Sequence, residues 1–481
     1  MRSLMYRFTL ILLAALIATG CSYNRQPELP ESQLSGDNCV AALQEMQQLS
    51  LSYTGFQQGE QVDGAPWLRS NRLVDYFIRQ NELSEPQLAD LLNYMSLQAI
   101  NGLTLEFQLL PAAQQQQWQR QYKITDPGHY IDRCSRQLVQ QQIGMPHQSL
   151  RFLQQQSTDD DYQSLARILG LYPLTALLFK QGVIQEHHWL SRQPEALQHS
   201  TWTIYGPQIT QTKTPDLQKL PVNSLGIPTL NTTQRQALIE YHAPLWQLPD
   251  TLPVNIPGQP YWDANTLKVD QQPVSFNYIS HGVHHNQTTL QLNYLIWFPE
   301  RAPEGRFDLL AGQHDAVLFR VHLTQSGKLL AYDSIHLCGC WYSLILPRTE
   351  DFQEKGKLYR EPTFVQRTEP GRQLISLTSN SHLLIASQKA DTALSLQHQY
   401  QLRPFSDLLQ LNSGSIRRSA FNRQGFVAGS ERPERWFFWP MGIRNPGALR
   451  RPGDHAIRFV GKLHFDAPLI LEKLGVGKEA D

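Results

Sequence analysis

His336, Cys338 and Cys340 stand at alternate positions within Ala331–Pro347, the densest group of soft ligands and nucleophiles in the chain. If that run continues as one β-strand, the three side chains share a face, each about 6.6–6.8 Å from the next. One imidazole and two thiolates suit zinc or copper(I). A fourth ligand would come from His281, His284, His285, His322, His455 or His464. The two cysteines also suit a redox pair. An extended strand holds their α-carbons near the upper limit of about 6.8 Å for a disulfide. Gly339 would relieve this with a bulge or tight turn, and a strained bridge is easily reduced. The third reading is structural: a bridge or two buried thiols, with His336 hydrogen-bonded nearby. Asp333 falls on the opposite strand face from His336 and is better placed to pair with Arg320.

Other chemistry has less support. No Gly-x-Ser-x-Gly elbow, His-Glu-x-x-His pair or Walker motif occurs. The segment Glu431–Pro440 joins charges to Trp436, Phe437, Phe438 and Trp439, and reads as a cleft wall or a packed surface. Arg444, Arg450, Arg451 and Arg458 read as a balanced surface loop before an anion site. The neighbouring His187 and His188 read as a helix end.

The elements that must position these residues fall into two halves, giving an α+β chain. Residues 37–200 carry apolar positions at helical spacing: Val40, Leu43, Met46 and Leu49, then Leu88, Leu91, Leu92 and Met95, and later Leu165, Ile168, Leu169 and Leu171. The spacing predicts an α-helical domain. Residues 201–261 hold frequent prolines and predict an extended connector packed along both domains, with a helix only near Thr232–Ala243. Residues 262–481 read as β-rich. Gln287–Phe298 alternates, with Leu290, Leu292, Tyr294, Ile296 and Phe298 on one face. Ser326-Gly327 predicts a hairpin that sets Arg320 opposite Asp333 and His322 opposite Ala331. Strand–helix alternation is missing, so a mostly antiparallel sandwich or barrel is expected.

The first residues give an address. Arg2 and Arg7 precede the apolar run Phe8–Ile17, which ends in Ala18-Thr19-Gly20-Cys21. This resembles the lipobox of bacterial lipoproteins, with Ala18 where a larger aliphatic residue is usual. The resemblance implies a signal peptide over 1–20, lipid attachment at Cys21 and a tether over 21–36. With Ser22 rather than Asp after the cysteine, it implies an outer-membrane protein facing the periplasm, if the cell is Gram-negative. Its partner would be the membrane, through the lipid, together with a protein or small molecule.

Composition narrows the function classes further. The chain has 42 basic and 42 acidic residues, and loses Arg2 and Arg7 on processing, so no positive field exists to recruit nucleic acid. A hydrophobic share of 41% is ample for two cores. Five cysteines are present; with Cys21 lipidated and Cys338 and Cys340 close together, Cys39 and Cys134 are the simplest disulfide in an oxidising compartment. It would stabilise by about 4–5 kcal/mol in the chain-entropy model. Two functions remain: a metal-dependent enzyme of the envelope centred on His336, Cys338 and Cys340, or a non-enzymatic binding or assembly lipoprotein in which the cysteines are structural or redox-active.

Overall fold

The computed structural model describes residues 38–80, 83–156, 158, 160–193, 201–210, 214–354, 356–391, 393–414 and 416–477. The residues that resemble a lipobox, Cys21 and the expected tether lie outside these residues. The chain is α+β, helical first and then a large, mostly antiparallel sheet.

Six helices form the first layer: α1 (Cys39–Tyr53), α2 (Arg72–Arg79), α3 (Glu85–Leu109), α4 (Ala112–Gln121), α5 (Pro127–Ile143) and α6 (Pro146–Gln154). Their starts follow local chemistry. Ser84 and Gln87 form a capping box ahead of α3, and Asp126 caps α5 with Pro127 in its first turn. Leu88, Leu91, Leu92 and Met95 of α3 are buried against Leu43 and Met46 of α1. Cys39 and Cys134 are joined in a disulfide, Cα–Cα 5.4 Å, which ties α1 to α5.

Two further helices, α7 (Ser164–Leu169) and α8 (Tyr172–Leu190), leave that layer. They pack on the C-terminal part of the chain: the Gln163 amide donates to the Gly442 carbonyl, and Arg167 Nε to the Met441 carbonyl, 2.8 Å. Here the apolar spacing misled. Leu165, Ile168, Leu169 and Leu171 face solvent. Periodicity shows that a helix has an apolar face, and does not show what covers it.

The large sheet has eleven strands: β1 (Trp202–Pro207), β2 (Leu245–Pro249), β3 (Val274–His284), β4 (Gln287–Arg301), β5 (Gly312–Leu323), β6 (Leu329–His336), β7 (Ser343–Pro347), β8 (Phe364–Thr368), β9 (Gln373–Leu377), β10 (Leu384–Lys389) and β11 (His398–Pro404). Their order is β8-β7-β6-β5-β4-β3-β11-β1-β2-β9-β10. The proline-rich stretch therefore supplies two strands of this sheet, and a helix, α9 (Thr232–His242), rather than lying extended along its surface. Pro207 and Pro249 end these strands and Pro244 precedes the second, positions a sheet tolerates. The register from β3 to β7 is antiparallel, with Arg320 opposite Asp333 and His322 opposite Ala331.

The sheet nearly closes. Gln366 on edge strand β8 donates from its side chain to the Ile385 carbonyl and accepts from the Ser387 amide, both on the other edge strand, β10. Leu290, Leu292, Tyr294, Ile296 and Phe298 of β4 form one cluster with Trp246, Ile375 and Tyr400 from distant strands, which only the concave face permits. The opposite face is also buried, with Leu295 and Trp297 among residues 405–476. Such two-sided burial is why β4 is buried at nearly every position and why Tyr294–Phe298 is apolar on both faces.

Candidate functional site

The strand carrying the central motif ends at His336. Gly339 has φ 90° and Trp341 φ 61°, so residues 337–342 turn sharply instead of continuing the pleat. The His336 amide donates to the Cys340 carbonyl, 3.0 Å, and the Gly339 amide to the His336 carbonyl, 2.8 Å. A Cβ on residue 339 would lie 2.6 Å from the Ala456 carbonyl oxygen, so the turn needs glycine for space as well as for φ. The shared strand face expected for His336, Cys338 and Cys340 is corrected by this turn.

His336 parts from the two cysteines as a result. His336 Nδ1 lies 3.2 Å from Asp315 Oδ1, and Nε2 lies 3.1 Å from the His382 carbonyl oxygen. Both ring nitrogens therefore face acceptors in a buried network. His382 Nδ1 reaches the other Asp315 oxygen at 2.9 Å, and Arg432 Nη2 lies 3.3 Å from Oδ1. Burial disfavours an ionised Asp315, yet His336, His382 and Arg432 together hold its carboxyl well below the usual carboxylate range.

Cys338 instead packs with Leu337, Leu449 and Ile457 on the other side of the sheet. It is a buried free thiol, and Cys340 is a partly exposed one. The Cys340 amide donates to Cys338 Sγ, 3.3 Å. Burial alone would raise the Cys338 pKa; the Cys340 thiol, the Arg432 charge, His336 and that amide outweigh it and lower it to about 6. Hydrogen bonding to Cys338, with burial and the charge on Cys338, pushes Cys340 far up. The two shifts run in opposite directions and favour the thiolate on Cys338.

Both cysteines line a cavity of about 500 Å³. Its walls are mainly apolar, with Phe179 and Leu190 of α8, Trp341, Phe438 and Phe459. Two buried acids face it. Burial and the nearby Cys338 charge raise Glu434 to about 8; burial raises Glu361 to about 7. His187 also lines the space, with burial lowering it to about 4.

Other histidines named from sequence are engaged elsewhere. His322 Nε2 lies 3.1 Å from Asp333 Oδ1. His455 Nε2 lies 3.0 Å from the Leu337 carbonyl oxygen, His464 lies beside Asp160, and His281 lines a separate polar cleft. The His284 and His285 rings meet edge to face. Among the described residues no group of three His, Cys, Asp or Glu side chains is arranged to hold a metal.

Sequence reasoning missed Asp315 and His382. Asp315 lies on β5, two residues before Val317, the register partner of His336, so the expected hairpin already carried a signal for it; His382 lies in the loop between β9 and β10 and has no local motif. Glu434 and Phe438 fall within the segment read as a cleft wall, and they line this one. No protein-family model, no curated protein and no solved structure matches the chain.

Proposed function

We propose that this protein is a thiol oxidoreductase of the cell envelope, working by dithiol–disulfide exchange at Cys338 and Cys340 on a substrate with an apolar body. The observation that carries the reading is the pair of free cysteines, two residues apart on one turn at the cavity wall. The Cys338 thiolate attacks a substrate disulfide, forming one S–S bond and breaking another. The released thiolate takes a proton from Glu434, which is neutral at pH 7. Cys340 then gives its proton to the Glu434 carboxylate and attacks Cys338 Sγ, forming the Cys338–Cys340 bond and breaking the mixed disulfide. The second substrate sulfur leaves with that proton, and Glu434 ends ionised. The dithiol is oxidised by two electrons, and the substrate disulfide becomes two thiols.

Arg432 has a double role in this scheme. It balances Asp315 and stabilises the Cys338 thiolate. The lipid anchor at Cys21 belongs to the same proposal, since an oxidising compartment is where such exchange has substrates. The test is thiol mapping of the full chain after equilibration with defined glutathione mixtures. A reversible Cys338–Cys340 disulfide, coupled to reduction of a disulfide probe, is expected. Cysteines that stay reduced through the whole range sink the reading.

A second reading rests on the same two sulfurs, free and side by side. They would hold a soft ion such as copper(I), or zinc with further ligands. His336 would join them only by giving up its bonds to Asp315 and the His382 carbonyl. Element analysis after anaerobic reconstitution with zinc or copper(I) separates the two: stoichiometric metal lost in Cys338→Ser favours the metal.

A further inference from the structure

Eight large apolar side chains stand in the open beside the thiol cavity. Leu165, Ile168, Leu169 and Leu171 of α7 and its end, with Leu174 and Leu178 of α8, are each at least 62% exposed. Trp436, at 69%, and Phe437, at 58%, stand on the short helix α10 (Arg435–Phe438), followed by the turn Trp439–Met441. These pieces form one face. A Cβ on Gly170 would lie 2.4 Å from that of Pro440, and the Phe179 and Phe438 rings are 5.4 Å apart. Scattered exposed apolar residues need no explanation, but a contiguous group of this size marks an interaction surface.

The rim of that face is basic. Across residues 163–193 and 435–441, Arg167, Lys180, Arg192 and Arg435 stand against Glu186 alone, in a chain with equal acids and bases. Glu186 lines the cavity. The Arg435 guanidinium lies 4.9 Å from the Trp436 ring centre, a pairing of cation and indole suited to a headgroup layer. A second copy of the chain is a poor occupant. In a two-fold pairing the face would meet itself, and like charges would oppose one another. An anionic bilayer complements both the apolar centre and the basic rim.

We propose that the face built by α7, α8 and residues 435–441 docks on a lipid bilayer bearing anionic headgroups, with the thiol cavity opening onto it. Leu178 belongs to both, exposed on the face and lining the cavity. For the source of the substrate this rests on the thiol reading: the apolar body arrives from the lipid phase. The docking itself stands without it. No described helix is long and apolar enough to cross a membrane, so contact through this face would be interfacial.

The test uses the full chain in phosphatidylcholine–phosphatidylglycerol vesicles with bromine on the acyl chains near the headgroup, reading tryptophan emission. The brominated lipid should quench the wild type, and Trp436→Phe with Trp439→Phe should lose about half or more of that quenching, as interfacial indoles would. Leu165→Asp with Leu169→Asp should lose it too, while far-ultraviolet dichroism stays native. Lys180→Glu with Arg435→Glu should weaken quenching in anionic vesicles and leave the weaker signal in neutral ones unchanged. Quenching equal in wild type and tryptophan variant overturns the proposal. So does a lipid-free dimer that the aspartate variants abolish, or hydrogen exchange showing α7 and α8 already covered by residues 1–37 without lipid. Alkylation of Cys338 without vesicles tests the thiol reading separately.

Discussion

The two cysteine pairs share a chemistry and differ in everything around it. Cys39 and Cys134 lie on two helices, completely buried, joined to each other, and remote from the cavity. Cys338 and Cys340 lie two residues apart on a turn, free, beside an arginine, a neutral acid and an apolar cavity. The first pair closes a loop of 95 residues and has nothing to react with. The second closes almost no loop, so bridging it adds little stability, and its surroundings favour a thiolate. Surroundings rather than residue type separate a structural cysteine from a reactive one.

The largest expected effect breaks the second pair. Cys338→Ser should abolish fast alkylation by iodoacetamide at pH 7, leaving only the slow reaction of Cys340. In the wild type the rate should rise through pH 6 and level off, where a free cysteine would rise near pH 8.5. Peptide-resolved mass spectrometry reads this directly. Stability should be unchanged. A wild-type rate still climbing above pH 8 would mean that Arg432 and Cys340 do not hold the thiolate.

Breaking the first pair should do the reverse. Cys39→Ser with Cys134→Ser should cost about 4–5 kcal/mol of stability by the loop-closure argument. Denaturant unfolding would measure it, and Cys338 alkylation should not change in the folded protein. A double variant as stable as wild type would show that α1 and α5 are held by packing alone.

The same contrast applies to two buried carboxylates. Asp333 accepts from Arg320 Nε at 2.9 Å and from the Tyr342 hydroxyl at 3.1 Å, and the Arg320 guanidinium stacks 3.6 Å from the Phe465 ring centre. Burial opposes its charge, yet Arg320 and His322 lower Asp333 to about 2. A depressed carboxylate contributes stability that is complete above its unfolded value of about 3.9 and is lost as pH falls through 2. The loss should be about 2–3 kcal/mol, read from unfolding at pH 5 and pH 2. Asp333→Asn should flatten that part of the acid limb without moving the Cys338 titration. Asp315, bonded to Arg432, is the carboxylate whose loss should move it.

Much of the frame was legible in the sequence. Alternation in Gln287–Phe298 and the Ser326-Gly327 turn give the strands, the hairpin and the Arg320–Asp333 pair, because these depend on neighbours and on period. The Cys39–Cys134 pair followed from elimination among few cysteines. What could not be read depends on three dimensions. Gly339 permits either a strand or a turn, and the Ala456 carbonyl, more than a hundred residues away, packs where a side chain at 339 would sit. His382 meets His336 from the loop after β9, which no local spacing connects, whereas Asp315 follows from the hairpin register, two residues from Val317 opposite His336. The prolines of residues 201–261 suggested a connector because strand-end prolines resemble linker prolines until the sheet is seen.

The smallest expected effect sharpens the reactive pair. If Glu434 gives its proton to the departing thiolate, disulfide exchange needs Cys338 ionised and Glu434 neutral. Those conditions overlap between the two values, about 6 and about 8. The exchange rate should then rise through pH 6, hold, and fall through pH 8. Simple alkylation, with no thiolate to release, should show only the first rise. Glu434→Gln keeps the shape of the side chain and removes the titration. It should lower the plateau and erase the alkaline fall, while the rise near pH 6 remains. A bell that survives in Glu434→Gln would pass the proton role to another cavity acid. Glu361, raised to about 7, is the next to test, because its fall would then lie one unit lower.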